Sequence, residues 1–148
     1  MNKIYAQWMS DTGGECLKNT GLFVLRVWLG LSMLVLHGWP KVQKYADMSG
    51  GFPDPLGVGA AMSLNLAIFA EVLCALLLVF GLAARLAAIT LVVTMGVAFF
   101  AVHRGALSGE GSGELAFVYL AGFVALFMAG PGRASFDHLI LRAFRGGD

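Results

Sequence analysis

His37, His103, Glu114 and Glu71 are the side chains in this chain best suited to move a proton or hold a polar ligand. A neutral imidazole donates to a carbonyl while a carboxylate accepts, and imidazole titrates near neutral pH. His37 closes one apolar run, in VLHGWPKVQKY (35–45); His103 closes another, and Glu114 opens a third. Antiparallel threading of these runs brings the three to similar depth, as one external polar pocket. Two histidines and a glutamate are a metal set in type, but no HExxH or Glu-x-x-His motif accompanies them, and no metal is assigned. A quinone, another small molecule or a proton relay fits the donors and acceptors better. Interfacial residues bonded to one another and to water would account for the same set without a ligand. Trp39 needs no catalytic role, because tryptophan is enriched at membrane interfaces.

Glu71 and Arg26 are charges inside apolar segments. An unpaired charge there costs at least about 2.5–3.5 kcal/mol. The economical expectation is an Arg26–Glu71 ion pair that fixes the register of two helices. The alternative is that Glu71 carries protons or binds a polar headgroup, and both readings stay open. Tyr119 is a further candidate donor to a carboxylate, or a lone core tyrosine. Arg85, Arg133 and Asp137 form a third polar group, in which Asp137 is expected to pair with either arginine and staple the tail to a turn.

These residues must be positioned by apolar helices. The chain is 58% hydrophobic and 13% charged, against about 25% charged in a typical soluble domain. A soluble chain of 148 residues could not cover its core with so few polar residues. The net charge of +1 and the absence of a basic stripe exclude a nucleic-acid footprint. Four apolar segments stand out: Leu22–Trp39, Leu56–Gly81, Leu82–Val102 and Leu115–Ala129. A bilayer core asks for about 17–25 helical residues. The first three fit, and the fourth is short unless Gly113 and Glu114 extend it. The expected fold is therefore an all-α membrane protein with four transmembrane helices in an antiparallel bundle. Pro40 is expected to end or kink the first helix, with KVQKYADM after it as a short surface helix. GGFPDP, GEGSG and GPG mark the turns.

Basic residues set the expected orientation. Lys3, Lys18, Arg85, Arg133, Arg142 and Arg145 fall on one side, and Lys41, Lys44 and Arg104 on the other. The positive-inside rule places the first group, and both termini, in the cytoplasm. The expected organisation is a cytoplasmic segment over 1–21, a membrane domain over 22–132 and a tail over 133–148. Ser135 reads as the N-cap of a short helix in that tail. Residues 1–21 lack the pattern of a secretory signal. Cys16 and Cys74 form no Cys-x-x-Cys pair and are read as unpaired.

The segments RVWLGLSMLVLHGWPK (26–41), FPDPLGVG (52–59), FAEVLCALLLVFGLAARLAA (69–88), MGVAFFAVH (95–103), ELAFVYL (114–120) and GPGRASFD (130–137) resemble, in order, the DoxX family of small bacterial membrane proteins. The resemblance implies a four-helix protein of the bacterial cytoplasmic (inner) membrane, linked to redox metabolism. Some related proteins belong to thiosulfate:quinone oxidoreductases, and others look like membrane partners in thiol-redox complexes. The family's polar positions fall on Arg26, His37, Lys41, Glu71, Arg85, His103, Glu114 and Asp137. No catalytic mechanism comes with them, so the enzyme question stays open. Three functions compete: a quinone-interacting redox subunit, a membrane scaffold recruiting a redox protein partner, and a small-molecule or proton transporter, the last as a homo-oligomer. Lipid is a partner in all three.

Overall fold

Apolar residues surrounding a helix on every side leave lipid as its outer solvent, and the backbone then satisfies itself through intrahelical bonds. The computed structural model describes residues 11–145 and is all-helical over that range apart from its turns. The start of the expected N-terminal segment, with Lys3, and the last three residues of the tail lie outside the described residues. The first helix, α1, is α-helical over Asp11–Met33, π-helical over Leu34–Gly38 and α-helical again over Trp39–Gln43. A single short turn, α2 (Tyr45–Met48), follows. Helix α3 covers Ala60–Phe80, with a π segment at Phe69–Cys74; α4 covers Ala84–Val102, π-helical over Val97–Val102. Helix α5 is Glu114–Ala129 and α6 is Phe136–Arg145.

Among the described residues, three helices are long and apolar enough to cross a membrane: Gly14–Gln43, Ala60–Phe80 and Ala84–Val102. The expectation of four transmembrane helices is corrected at α5. Its 16 residues rise about 24 Å, short of a hydrocarbon core of about 30 Å. Gly113 does not extend it, because the helix starts at Glu114, and Gly130 ends it with φ 81°. The tail nevertheless starts beside the first turns of α1, where Arg133 lies 3.7 Å from Glu15 and Arg133 N–H donates to Asn19 Oδ1. Helix α5 is instead an apolar helix laid against α4 and, less extensively, α1.

Proline does not end the first helix. Trp39 N–H reaches back to Leu34 O in a π turn, so the ladder is already rearranged where Pro40 lacks a donor. The helix then continues to Gln43, and KVQ (41–43) belongs to it rather than to a surface helix.

The core is built from small and medium side chains. Ala84, Ala87 and Ala88 on α4 are buried, as are Ala75 and Leu78 on α3 and Phe123 on α5. Small residues let helices approach closely when lipid removes most of the hydrophobic drive for association. The outside is apolar too: Trp28, Leu86, Phe100 and Met128 are each at least 66% exposed, as lipid-facing residues should be. The entry to α3 is tied by Asp54. Its carboxylate accepts from Val58 N–H at 3.0 Å, Gly59 N–H at 2.7 Å and the Ser63 hydroxyl at 2.7 Å. These bonds, that from Ser63 first and that from Gly59 next, hold the Asp54 carboxyl below its ordinary pKa.

Candidate functional site

Glycines set how α1 meets α3. A Cβ at Gly38 would stand 2.6 Å from the Glu71 carbonyl oxygen, and one at Gly30 would stand 3.0 Å from Ala75 O. Arg26 lies against Gly81. The two helices therefore run antiparallel, with 38 opposite 71, 30 opposite 75–79 and 26 opposite 81. Any side chain at Gly38 would push the helices apart where Glu71 is held.

At this contact Lys41 Nζ lies 2.6 Å from Glu71 Oε2. The Glu71 side chain is 6% exposed and that of Lys41 18%. Lys41 Nζ also donates to His37 O at 3.3 Å. The His37 ring meets Tyr119 edge-on, with centroids 5.4 Å apart, and Tyr119 stacks on Phe123. His37 Nε2 is buried and has no hydrogen-bond partner among the described residues. A neutralised ion pair thus sits beside an imidazole nitrogen whose bonding capacity is unused. π segments carry His37 and Glu71, and a third ends just before His103. Such turns break the α register, re-aim side chains and recur at functional sites.

The expected Arg26–Glu71 pair does not form. Glu71 lies ten residues along α3 from Gly81, about 15 Å of rise, which is beyond the reach of Arg26. Arg26 is 1% exposed and donates instead to Ala134 O at 2.7 Å and Pro131 O at 3.3 Å. It pins the loop after α5 to the start of the bundle. Asp137 does not pair with Arg85 or Arg133. Its carboxylate accepts from Ala83 N–H at 2.7 Å and Ala84 N–H at 2.9 Å. It thereby caps α4 and holds Ala83 in a left-handed conformation, φ 46°. Arg133 instead lies 3.7 Å from Glu15 at the surface, and the Arg85 guanidinium lies beside Gly130.

His103 packs against Gly113, the residue before Glu114, while the His37 ring meets Tyr119. His103 Nδ1 lies 2.7 Å from Gly111 O; since a carbonyl only accepts, this nitrogen carries the proton and closes the 104–113 loop. Glu114 is exposed in the first turn of α5, where the helix dipole favours a carboxylate. No hydrogen bond joins the three among the described residues. Nor do three His, Cys, Asp or Glu gather around a common metal position there. Cys16 is exposed and Cys74 buried, both free among the described residues.

Lys41 is the partner that sequence reasoning missed. Pro40 suggested that Lys41 lay beyond the helix, in a loop. The available signal was the spacing: His37, Gly38 and Lys41 share one helical face at i, i+1 and i+4, and the glycine marks where that face meets another backbone. Two cavities lie elsewhere. One of about 720 Å³ opens by Glu15, Asn19 and Arg133, and an apolar groove of about 450 Å³ runs past Trp28. The Lys41–Glu71 cluster is closed between helices and meets its surroundings through the partly exposed Lys41.

Fold and site together define a multi-pass α-helical membrane protein with a lysine–glutamate pair held between its first two spans. The DoxX family model matches residues 21–104, more than half of the chain, and the chain belongs to the DoxX family. It is 27% identical over 128 residues to a Haemophilus influenzae protein described only as uncharacterized, covering 83% of this chain and 85% of that one. No solved structure matches the chain.

Proposed function

We propose that this chain is a quinone-interacting subunit of a redox or thiol/sulfur system in the bacterial inner membrane, with His37 as the ligand-facing group. The observation that supports this reading is the buried, unpartnered His37 Nε2 beside the Lys41–Glu71 pair. A protonated Nε2 is a donor for a quinone carbonyl, and the partly exposed edge at Lys41 is the route for a ring arriving through lipid. Reduction of a quinone to a quinol takes two electrons and two protons. Two thiols of a partner protein or small substrate supply both on forming a disulfide. His37 and Glu71 would relay the protons, with Lys41 favouring the charged, proton-accepting form of Glu71 between turnovers.

The test is extraction in native-lipid particles followed by mass spectrometry of bound quinone. The wild-type protein should carry quinone well above its level in the surrounding lipid. His37→Leu should lose that excess at unchanged thermal stability. Equal quinone in both, at the level of the bulk lipid, would sink the reading. Electron transfer is a separate measurement: reduction of a short-chain quinone by a dithiol, accelerated by the wild type and not by His37→Leu.

A further inference from the structure

Helix α6 has the sequence FDHLILRAFR. Phe136, Leu139, Ile140, Ala143 and Phe144 fall at i, i+3, i+4, i+7 and i+8, a continuous apolar stripe. His138, Arg142 and Arg145 fall on the opposite face. None of the helix's residues is buried, and Phe144 is 81% exposed. Beyond Phe136, the stripe therefore has no partner among the described residues.

The helix is held only at its first turn. Asp137 N–H donates to Gly81 O at 2.9 Å, the Asp137 carboxylate caps α4, and His138 N–H donates to Ser135 Oγ at 3.2 Å. Gly81 and Ala83 form the turn between α3 and α4, two helices of spanning length. This turn lies where the two spans leave the hydrocarbon, so it fixes the depth of α6. Phe136 meets Phe80 with ring centroids 6.3 Å apart. Phe80 is 55% exposed at the end of α3, so the apolar stripe of α6 continues a lipid-facing surface.

We infer that α6 is an interfacial helix which docks on anionic phospholipid, its Phe136–Phe144 stripe among the acyl chains and its Arg142 and Arg145 at the headgroups. Three observations carry this: the stripe has no protein cover, it is anchored at the membrane edge, and its polar face is basic. Apolar burial combined with basic residues is the pattern of helices that lie in the interface plane. An adjacent anionic surface attracts each arginine, a factor of about fivefold in the docked-to-free ratio. Docking would also restrain the GPGRAS loop that Arg26 holds.

The experiment uses the full chain, with Cys16→Ser, in vesicles of phosphatidylcholine alone or with phosphatidylglycerol. Nitroxide labels go singly at Phe144→Cys and Arg142→Cys, and accessibility to oxygen and to a water-soluble nickel chelate is read. In the anionic vesicles position 144 should favour oxygen and position 142 the chelate. Arg145→Glu in the Phe144→Cys chain should raise chelate access at 144 several-fold, as should omission of phosphatidylglycerol. Equal chelate access at both positions would show a helix free in water and overturn the inference. Protection of 144 from both reagents would overturn it in favour of a protein partner. Unchanged access on Arg145→Glu and on lipid exchange would overturn the anionic-lipid assignment.

Discussion

Two cations on α1, the buried Arg26 and the partly buried Lys41, are handled in opposite ways. Arg26 is surrounded by backbone: it donates to two carbonyl oxygens of the loop after α5, and its neighbour Gly81 leaves no room for a side chain. Lys41 faces a carboxylate, next to an imidazole nitrogen with nothing bonded to it. Carbonyl oxygens do not titrate, so the Arg26 site, whose Nε is also buried without a hydrogen-bond partner among the described residues, serves to close the fold. The Lys41–Glu71–His37 site holds groups that can exchange protons and capacity that a ligand can use. A buried charge is thus no guide to function by itself; what partners it is.

This difference can be broken from either side. The largest effect is expected from Glu71→Leu, which leaves Lys41 unpaired between α1 and α3. Removing one partner of a buried pair costs about 3–5 kcal/mol. The double variant Lys41→Met/Glu71→Leu should recover much of that loss, by a coupling of about 0.5–3 kcal/mol. Thermal melts in mild detergent measure both, and strict additivity would show that the pair is not coupled. Arg26→Leu is next, at about 3 kcal/mol for two charge-assisted bonds. Combined with Glu71→Leu it should be additive, since the two sites do not touch. Coupling between them in the same melts would contradict the observed partners.

Gly38→Ala should cost about 1–3 kcal/mol through overpacking. It should do so by moving α1 away from the Glu71 backbone, seen as a longer distance between spin labels on the two helices. Asp137→Asn keeps the shape but weakens the cap on α4, worth about 1 kcal/mol. Amide exchange at Ala83 and Ala84 should rise while that around Glu71 stays unchanged.

The smallest effect is acid-dependent. The Asp54 carboxyl is held below its ordinary pKa by Ser63 and the Gly59, Val58 and Gly57 amides. A lowered folded pKa means stabilisation that is present above the unfolded value, about pH 4. It is lost as pH falls through the lower folded value. Acid titration followed by circular dichroism should show this drop in the wild type. The Asp54→Asn variant should lack it.

Much of the architecture was legible in the sequence because apolar length is a direct signal. Leu22–Trp39, Leu56–Gly81 and Leu82–Val102 each fall on a helix of spanning length, though with shifted ends. The fourth helix is where counting failed, since Gly113 and Gly130 bound it at 16 residues. Ser135 as a cap is a local signal, and the structure shows its bond to His138 N–H. Partner choice was less legible. The Arg26–Glu71 expectation matched two charges inside apolar segments, with nothing in the sequence to set the register between their helices. The glycine contacts at 30, 38 and 81 set the register, and a π turn carried the helix through Pro40 to bring Lys41 within range. None of these interhelical distances is encoded in spacing along a single helix.

Short-chain quinone binding to three purified chains in the same lipid particles tests the contrast between the two sites most directly: wild type, His37→Leu and Arg26→Lys. The account predicts that Arg26→Lys lowers thermal stability but binds as the wild type does. It predicts that His37→Leu keeps its stability and loses binding. The reverse pattern, with binding lost in Arg26→Lys and retained in His37→Leu, would contradict it, as would equal binding by all three.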